Sequence, residues 1–184
     1  MKQRASRTST ASPDEGWEDD DRMADNFRRA MRRMTGTISL VTTRDDQDAP
    51  HGMAASAVVP VSMQPPSLLV SVNRSALMYS VLSTTGVFCA NILDDTAHPL
   101  VEIFGRSDRR GERFLSGAWQ RSWRGLPFLP SALCCVFCAV DAQMDYGTHT
   151  LLVGRVGQVL VCDSGMPLLW GDGAFVSVVP FETG

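Results

Sequence analysis

No apolar run in this chain approaches the roughly 18 residues that cross a bilayer, so the sequence predicts no transmembrane helix and no membrane partner. The opening stretch "MKQRASRTSTASPDEGWEDDDR" lacks the apolar core of a secretory signal, which makes a cytoplasmic location the expectation. There are three histidines, His51, His98 and His149, and they lie too far apart for metal-ligand spacing. No G-x-G-x-x-G follows a strand, no G-x-x-x-x-G-K-[ST] occurs, and there is no G-x-S-x-G. These absences argue against a Rossmann site, a P-loop and a hydrolase nucleophile elbow. Carboxylates gather in the tail and loops, so no glycosidase-type pair stands out. A formal charge of -3 supplies no basic field, which argues against nucleic acid as a partner. If the chain is an enzyme, its hard chemistry belongs to a cofactor.

What is present is ordinary for a soluble globular domain: 184 residues, 44% hydrophobic and 20% charged, enough for one core. The five cysteines are Cys89, Cys134, Cys135, Cys138 and Cys162. An odd number on apolar segments predicts reduced thiols. Cys135 and Cys138 form a C-x-x-C, but "ALCCVFCAVDA" reads as a strand, where that spacing points the two side chains to opposite faces. Buried structural thiols are the expectation, not a redox pair or a zinc site.

Residues 1–22 are polar and then acidic, and are expected to form a disordered tail, with one domain over 23–184. "MADNFRRAMRRMTG" has helical spacing at Phe27, Met31 and Met34, with Asp25 as N-cap and Gly36 as stop. Its arginines Arg28, Arg29, Arg32 and Arg33 form either a solvated face or an anion site. "TISLVTTR", "MAASAVVPV" and "PSLLVSVN" predict a β-meander. "SALMYSVLSTTG" reads as a helix ending at Gly86, and "HPLVEIFG" as a helical turn. "VFCANIL", "SALCCVFCAVDAQMD" and "THTLLVGRVGQVLVC" read as strands, the last two joined at Tyr146-Gly147. "RSDRRGERFLSGAWQRSWRGLPFLP" is a long irregular stretch, a length usually tied to function. Roughly six or seven strands with a few helices predict a closed or sandwiched β-structure.

One stretch is unusual. "HGMAASAVVPVSMQPPSLLVSVNRS" pairs a nearly side-chain-free strand with a polar, cationic tip at Asn73, Arg74 and Ser75. A flat group lying on the small residues and an anion at the tip would account for both. The segments "FRRAMRRMTGTISLVTTR", "HGMAASAVVPVSMQPPSLLVSVNRSALMYSVL", "GVFCANIL", "GTHTLLVGRV" and "PLLWGDGAF" together resemble the flavin reductase family, in order and spacing, over residues 26–176. The likeness runs toward its HpaC-like and pyrimidine-utilisation members.

That resemblance implies a mainly β fold, a six-stranded Greek-key FMN-binding split barrel with a few short helices, assembled as a homodimer. It implies hydride transfer from NADH or NADPH to FMN or FAD, with the reduced flavin diffusing to a partner flavin-dependent monooxygenase. A flavin-binding or sensor protein without turnover on the same barrel is the alternative. By position, Ala55, Ser56, Ala57, Val58 and Val59 match the flavin-contacting strand; the residues alone favour a half-buried strand, and the register with the family reverses that. Asn73, Arg74, Ser75, Met78 and Tyr79 match the segment holding the phosphate and ribityl chain, where Ser75 is also a candidate helix cap. Arg113 and Phe114 match a loop near the flavin, with exposed loop charge as the alternative. His149 matches a histidine on the nicotinamide side and is the candidate catalytic residue; a structural strand-end role is the other reading. Trp170, Gly171, Asp172 and Gly173 match a segment lining the nicotinamide pocket, where relatives often carry an arginine that this chain lacks. Relatives also often carry a hydroxyl at Met78 and a threonine at Ala54.

Deleting residues 1–22 is expected to leave flavin reduction and thermal stability nearly unchanged. A fall of more than about 3 °C in Tm, the scale of roughly 1 kcal/mol in a domain of this size, would show that the tail docks.

Overall fold

The computed structural model describes residues 21–179. Of the tail expected over residues 1–22, residues 1–20 lie outside the described residues, and Asp21 and Arg22 belong instead to α1 (Asp21–Arg32). This helix starts earlier than its sequence cap suggested: Asp25 lies inside it and pairs with Arg28 one turn on. Arg29 and Arg32 occupy its last turn, where cations offset the helix dipole. α1 belongs to one compact unit, and everything from Thr35 onward to another.

The second unit is mainly β. A short strand β1 (Gly36–Thr37) leads to β2 (Ser39–Arg44), β3 (Pro50–Ala55), β4 (Val58–Met63) and β5 (Pro66–Asn73). Helix α2 (Leu77–Thr85) and strand β6 (Val87–Ile92) follow, then α3 (His98–Phe104). β7 (Gln120–Ser122) and β8 (Leu126–Phe128) form a hairpin inside the stretch that the sequence left irregular. The long strands β9 (Cys134–Tyr146) and β10 (His149–Val161) turn at Gly147, as expected. β11 (Leu169–Gly171) and β12 (Ala174–Val176) end the described chain.

The main sheet has seven strands in the order β3-β2-β6-β9-β10-β5-β4. Its two outer members are halves of one strand, broken only at Ser56 and Ala57. That strand pairs with β2 through Ser39↔Ala55 and with β5 through Val58↔Val70. The Ser71 N–H donates to Ala57 O at 3.3 Å, carrying the ladder into the bend. The sheet thus closes on itself as six segments, the number that the resemblance implied. The predicted meander is present, with its middle strand bent to serve both neighbours.

Two cores follow from strand alternation. Inside the barrel, Val41, Val70, Val72, Phe88, Cys138 and Leu152 pack from different strands, and Met78 and Leu82 of α2 join them. Outside, on the β2-β6-β9 face, Leu40, Cys89, Cys135 and Phe137 pack under α3 and β8 with Phe104, Leu126 and Leu129. Gly154 is required by the interior: a Cβ there would lie 2.5 Å from Phe88 Cζ. Gly86 stops α2 in the left-handed region at φ 61°, as the sequence predicted.

Cys135 and Cys138 sit in opposite cores, as their spacing required, and all five cysteines are free thiols. Burial raises the Cys89 pKa and pushes that of Cys138 up to about 12, which keeps both protonated. Between β6 and its neighbours, the fully buried Asn91 spends both ends of its amide. Its Nδ2 donates to Leu40 O (2.8 Å) and Thr42 Oγ1 (3.1 Å), and its Oδ1 accepts from the Leu129 N–H (2.8 Å). The Thr42 hydroxyl in turn donates to Pro127 O at 2.6 Å. This network fixes the 126–129 segment to the barrel wall. Asn91→Ala strands the Leu129 N–H in an apolar core and is expected to cost about 2–4 kcal/mol in urea unfolding at unchanged m-value. A loss below about 0.5 kcal/mol would show that the network is dispensable.

Candidate functional site

A pocket of about 330 Å³ opens where three pieces of chain meet: the start of β3, the start of α2 and the loop leading to Phe114. Such a volume is in the range of small-molecule sites. β3 contributes His51, Gly52 and Met53; α2 contributes Ala76, Leu77 and Met78; the loop contributes Arg110, Gly111, Arg113 and Phe114. Of the sequence-predicted residues, this brings Met78, Arg113 and Phe114 together. His51, Arg110 and the backbone at Ala76 were not anticipated, because nothing local in the sequence announces a wall shared by three distant segments.

Each wall has a physical cause. Gly52 lacks a side chain because Phe104 of α3 sits there: an added Cβ would lie 2.6 Å from its ring. Ala54 packs against the same outer core. Part of the small-residue run is therefore explained by helix packing. Phe114 holds the loop down through edge contact with Phe104 (5.3 Å between centroids) and packing on Trp119 (4.9 Å). Arg113 then crosses back to β3. Its Nη1 donates to Gly52 O at 2.6 Å and its Nη2 to Arg106 O at 3.0 Å. Its Nε is buried with no hydrogen-bond partner among the described residues. Partial burial, then the nearby Arg110 charge, lower the Arg113 pKa without threatening its proton. The exposed-charge reading of Arg113 is thereby corrected: it is a half-buried cation with donor capacity left over.

At α2 the N-cap is Ala76, which has no side-chain cap. The helix-cap reading of Ser75 is corrected, since the Asn73 Oδ1 accepts from both the Ser75 N–H (2.9 Å) and its hydroxyl (2.8 Å). An uncapped helix start presents free N–H groups and the positive end of the dipole to the pocket. Arg74 points to the β9–β10 turn, where its guanidinium donates to Gly147 O and lies 3.2 Å from Asp145 Oδ2. The Thr150 hydroxyl and then the Arg74 charge hold the Asp145 pKa below the usual carboxylate range. Tyr79 is half-buried against the barrel interior.

The remaining candidates lie elsewhere on the barrel. Ala55 and Val58 pack inward at the bend, while Ser56 and Val59 are exposed and Ala57 is intermediate. His149 is exposed at the first position of β10, opposite Asn73 and beside Thr148, whose hydroxyl lies 2.9 Å from its Nδ1. Trp170 sits in β11, paired with Gly36 and edge-on to Phe175 at 5.0 Å. Leu168, just before β11, donates its N–H to Leu93 O beyond the end of β6; Ile92 pairs with Cys134, which pairs with Val161 at the far end of β10. His149 and Trp170 are thus associated with opposite ends of β10, and no hydrogen bond or ring contact joins them. Asp172 (φ 51°) and Gly173 (φ 84°) form the two-residue turn of the β11–β12 hairpin. An Asp-Gly pair between two short strands is a hairpin-turn signal, and here it makes the turn. Gly171 is small because Thr35 Oγ1 would lie 2.5 Å from its Cβ.

Among the described residues no cluster of His, Cys, Asp or Glu could hold a metal, and no helix is long and apolar enough to cross a membrane.

A closed, mainly β barrel thus carries a pocket lined by arginines and an uncapped helix start at a β-strand edge. Comparison with known proteins is more specific. The model of the flavin reductase like domain matches residues 31–178, and the chain belongs to this family. It is 37% identical over 158 residues to the reductase component of an FADH(2)-dependent resorcinol hydroxylase from Rhizobium sp. (strain MTP-10005), covering 84% of this chain and 87% of the relative. It is 37% identical over 130 residues to an FMN reductase (NADH), RutF, of Pseudomonas syringae pv. syringae (strain B728a), covering 71% and 72%. Among solved structures, the flavin reductase component BorF of a bacterial two-component tryptophan halogenase superposes with a TM-score of 0.78 at 27% identity, covering 86% and 99%.

Arg113→Met keeps the stem and removes two donors to backbone carbonyls. It is expected to cost about 1–3 kcal/mol of stability and to speed proteolytic cutting between residues 106 and 113. Unchanged cutting would show that Phe114 alone anchors the loop.

Proposed function

We propose that this chain is an NADH-dependent flavin reductase that supplies reduced flavin to a separate oxygenase. It is an oxidoreductase by family, and two of its relatives are named as reductases of FMN or of an FADH(2)-dependent hydroxylase. The observation that carries the reading onto these residues is Arg113. A half-buried guanidinium with an unpartnered Nε, beside an uncapped helix start, suits a flavin phosphate. The adjoining bend at Ala55, Ser56 and Ala57 offers backbone groups free of bulky side chains to a flat ring, with Val58 and Val59 as apolar contacts. Asn73, Arg74 and Ser75 brace the α2 edge of the site against the β9–β10 turn.

A bound flavin supplies a ring that accepts a hydride from reduced nicotinamide. The chain's own task is to hold the two rings face to face and keep water out. No general base is needed, which agrees with a pocket rich in backbone donors and poor in carboxylates. Met78 is buried in the barrel core and carries no hydroxyl, which leaves phosphate contact to backbone and Arg113. His149 and Trp170 are assigned to the nicotinamide side, and their separation within one chain favours a homodimer. An exposed apolar stripe on β4 (Val59 51%, Val61 52%, Met63 78% exposed) supports a second copy as its cover. We place the protein in the cytoplasm.

The test is NADH oxidation by a catalytic amount of protein with excess free FMN. Many turnovers per chain are expected; at most one per chain would favour a storage or sensor protein. His149→Ala is expected to lower kcat/KM for NADH about tenfold, roughly 1.4 kcal/mol, with FMN affinity within about twofold. Loss of FMN affinity with normal turnover at saturating flavin would move His149 to the flavin site.

A further inference from the structure

The pocket has more cationic reach than one phosphate uses, and its donors stand on two sides of β3. Arg113 lies on the side facing α3, its guanidinium carbon 5.7 Å from the centre of the Phe104 ring. The same ring blocks a side chain at Gly52. Alternation sends the neighbouring His51 side chain to the other face of the strand. His51 does not sit there loosely. Its Nε2 lies 2.9 Å from Asp45 Oδ2, and Asp45 Oδ1 accepts from the Gln47 and Ala49 N–H groups at 3.0 and 2.8 Å. With Nε2 taken by the carboxylate, Nδ1 is the ring nitrogen left for a ligand. Arg110, which lines the same pocket, has no ion-pair partner among the described residues, and nearby Glu112 is held by Arg109 at 2.6 Å. No carboxylate lines the pocket. Arg113 with the α2 N–H groups, and His51 with Arg110, are therefore two sets of donors lining one pocket, where a single phosphate needs one set.

Resting on the flavin-reductase reading, we infer that His51, positioned by Asp45, and Arg110 form a subsite for a second phosphate. They make the dinucleotide FAD the preferred flavin over FMN. Arg113 and the start of α2 take the phosphate that both flavins share, and the adenosine extends past the pocket mouth into solvent.

The experiment is quenching of flavin fluorescence, titrating FAD and FMN separately into wild type, His51→Gln, Arg110→Ala and Asp45→Asn, with thermal melts confirming that each variant folds. Wild type is expected to bind FAD more tightly than FMN. His51→Gln and Arg110→Ala are each expected to weaken FAD about tenfold and FMN less than about twofold, the scale of one charge-assisted hydrogen bond. Asp45→Asn should weaken FAD by a smaller factor, because it frees the imidazole without removing it. Equal losses for both flavins, or no loss in either, with FMN-dependent NADH oxidation intact, would overturn the second-phosphate subsite alone. Failure of wild type to bind either flavin would overturn the flavin reading and the subsite with it.

Discussion

The strand from Pro50 to Met63 is the constraint on which the rest of this structure depends. It pairs with β2 along its first half and with β5 along its second, and the bend at Ser56 and Ala57 closes the barrel. A straight strand would leave two open edges, each an invitation to pair with another chain. The same bend leaves small side chains and accessible backbone at the one place where both ladders thin out. Closure of the barrel and exposure of a candidate ring-binding surface are one structural event. The free edge of β3 beyond the bend then becomes a wall of the pocket.

Rigidity around that wall comes from polar groups that are fully spent. Asn91 ties β6 to β2 and to the 126–129 segment, and Phe104, Phe114 and Trp119 hold the loop that carries Arg113. Two buried polar atoms among the described residues are exceptions, Ser39 Oγ on β2 and Arg113 Nε. Unsatisfied buried donors are costly, and the second of these belongs to a residue that lines the pocket. A site built this way selects its ligand by placed donors rather than by ionisable catalysts. That suits hydride transfer, where the two cofactors carry the chemistry and the protein holds them in place.

Much of the fold was legible in the sequence, most of it through the family likeness. Local signals gave Gly86 as the α2 stop, Gly147 as the β9–β10 turn, and opposite cores for Cys135 and Cys138. What stayed hidden was long-range. Gly52 is small because of Phe104, and Gly154 because of Phe88, contacts that no spacing reveals. The same limit concealed His51 and Arg110, whose relevance appears only when β3, α2 and the loop converge. Ser75 misled for another reason: α2 starts at Leu77, so the cap position falls on Ala76 and Ser75 stands one residue too early. Asp172-Gly173 was a readable turn overshadowed by a functional assignment to the segment.

A crystal soaked with FMN tests the central claim most directly, by locating the phosphate. The account predicts phosphate oxygens within hydrogen-bond distance of Arg113 and of the N–H groups at the start of α2, with the flavin ring lying along Ala55–Ala57. A phosphate bound instead at Arg74 and the β9–β10 turn, with Arg113 still paired only to backbone carbonyls, would contradict it.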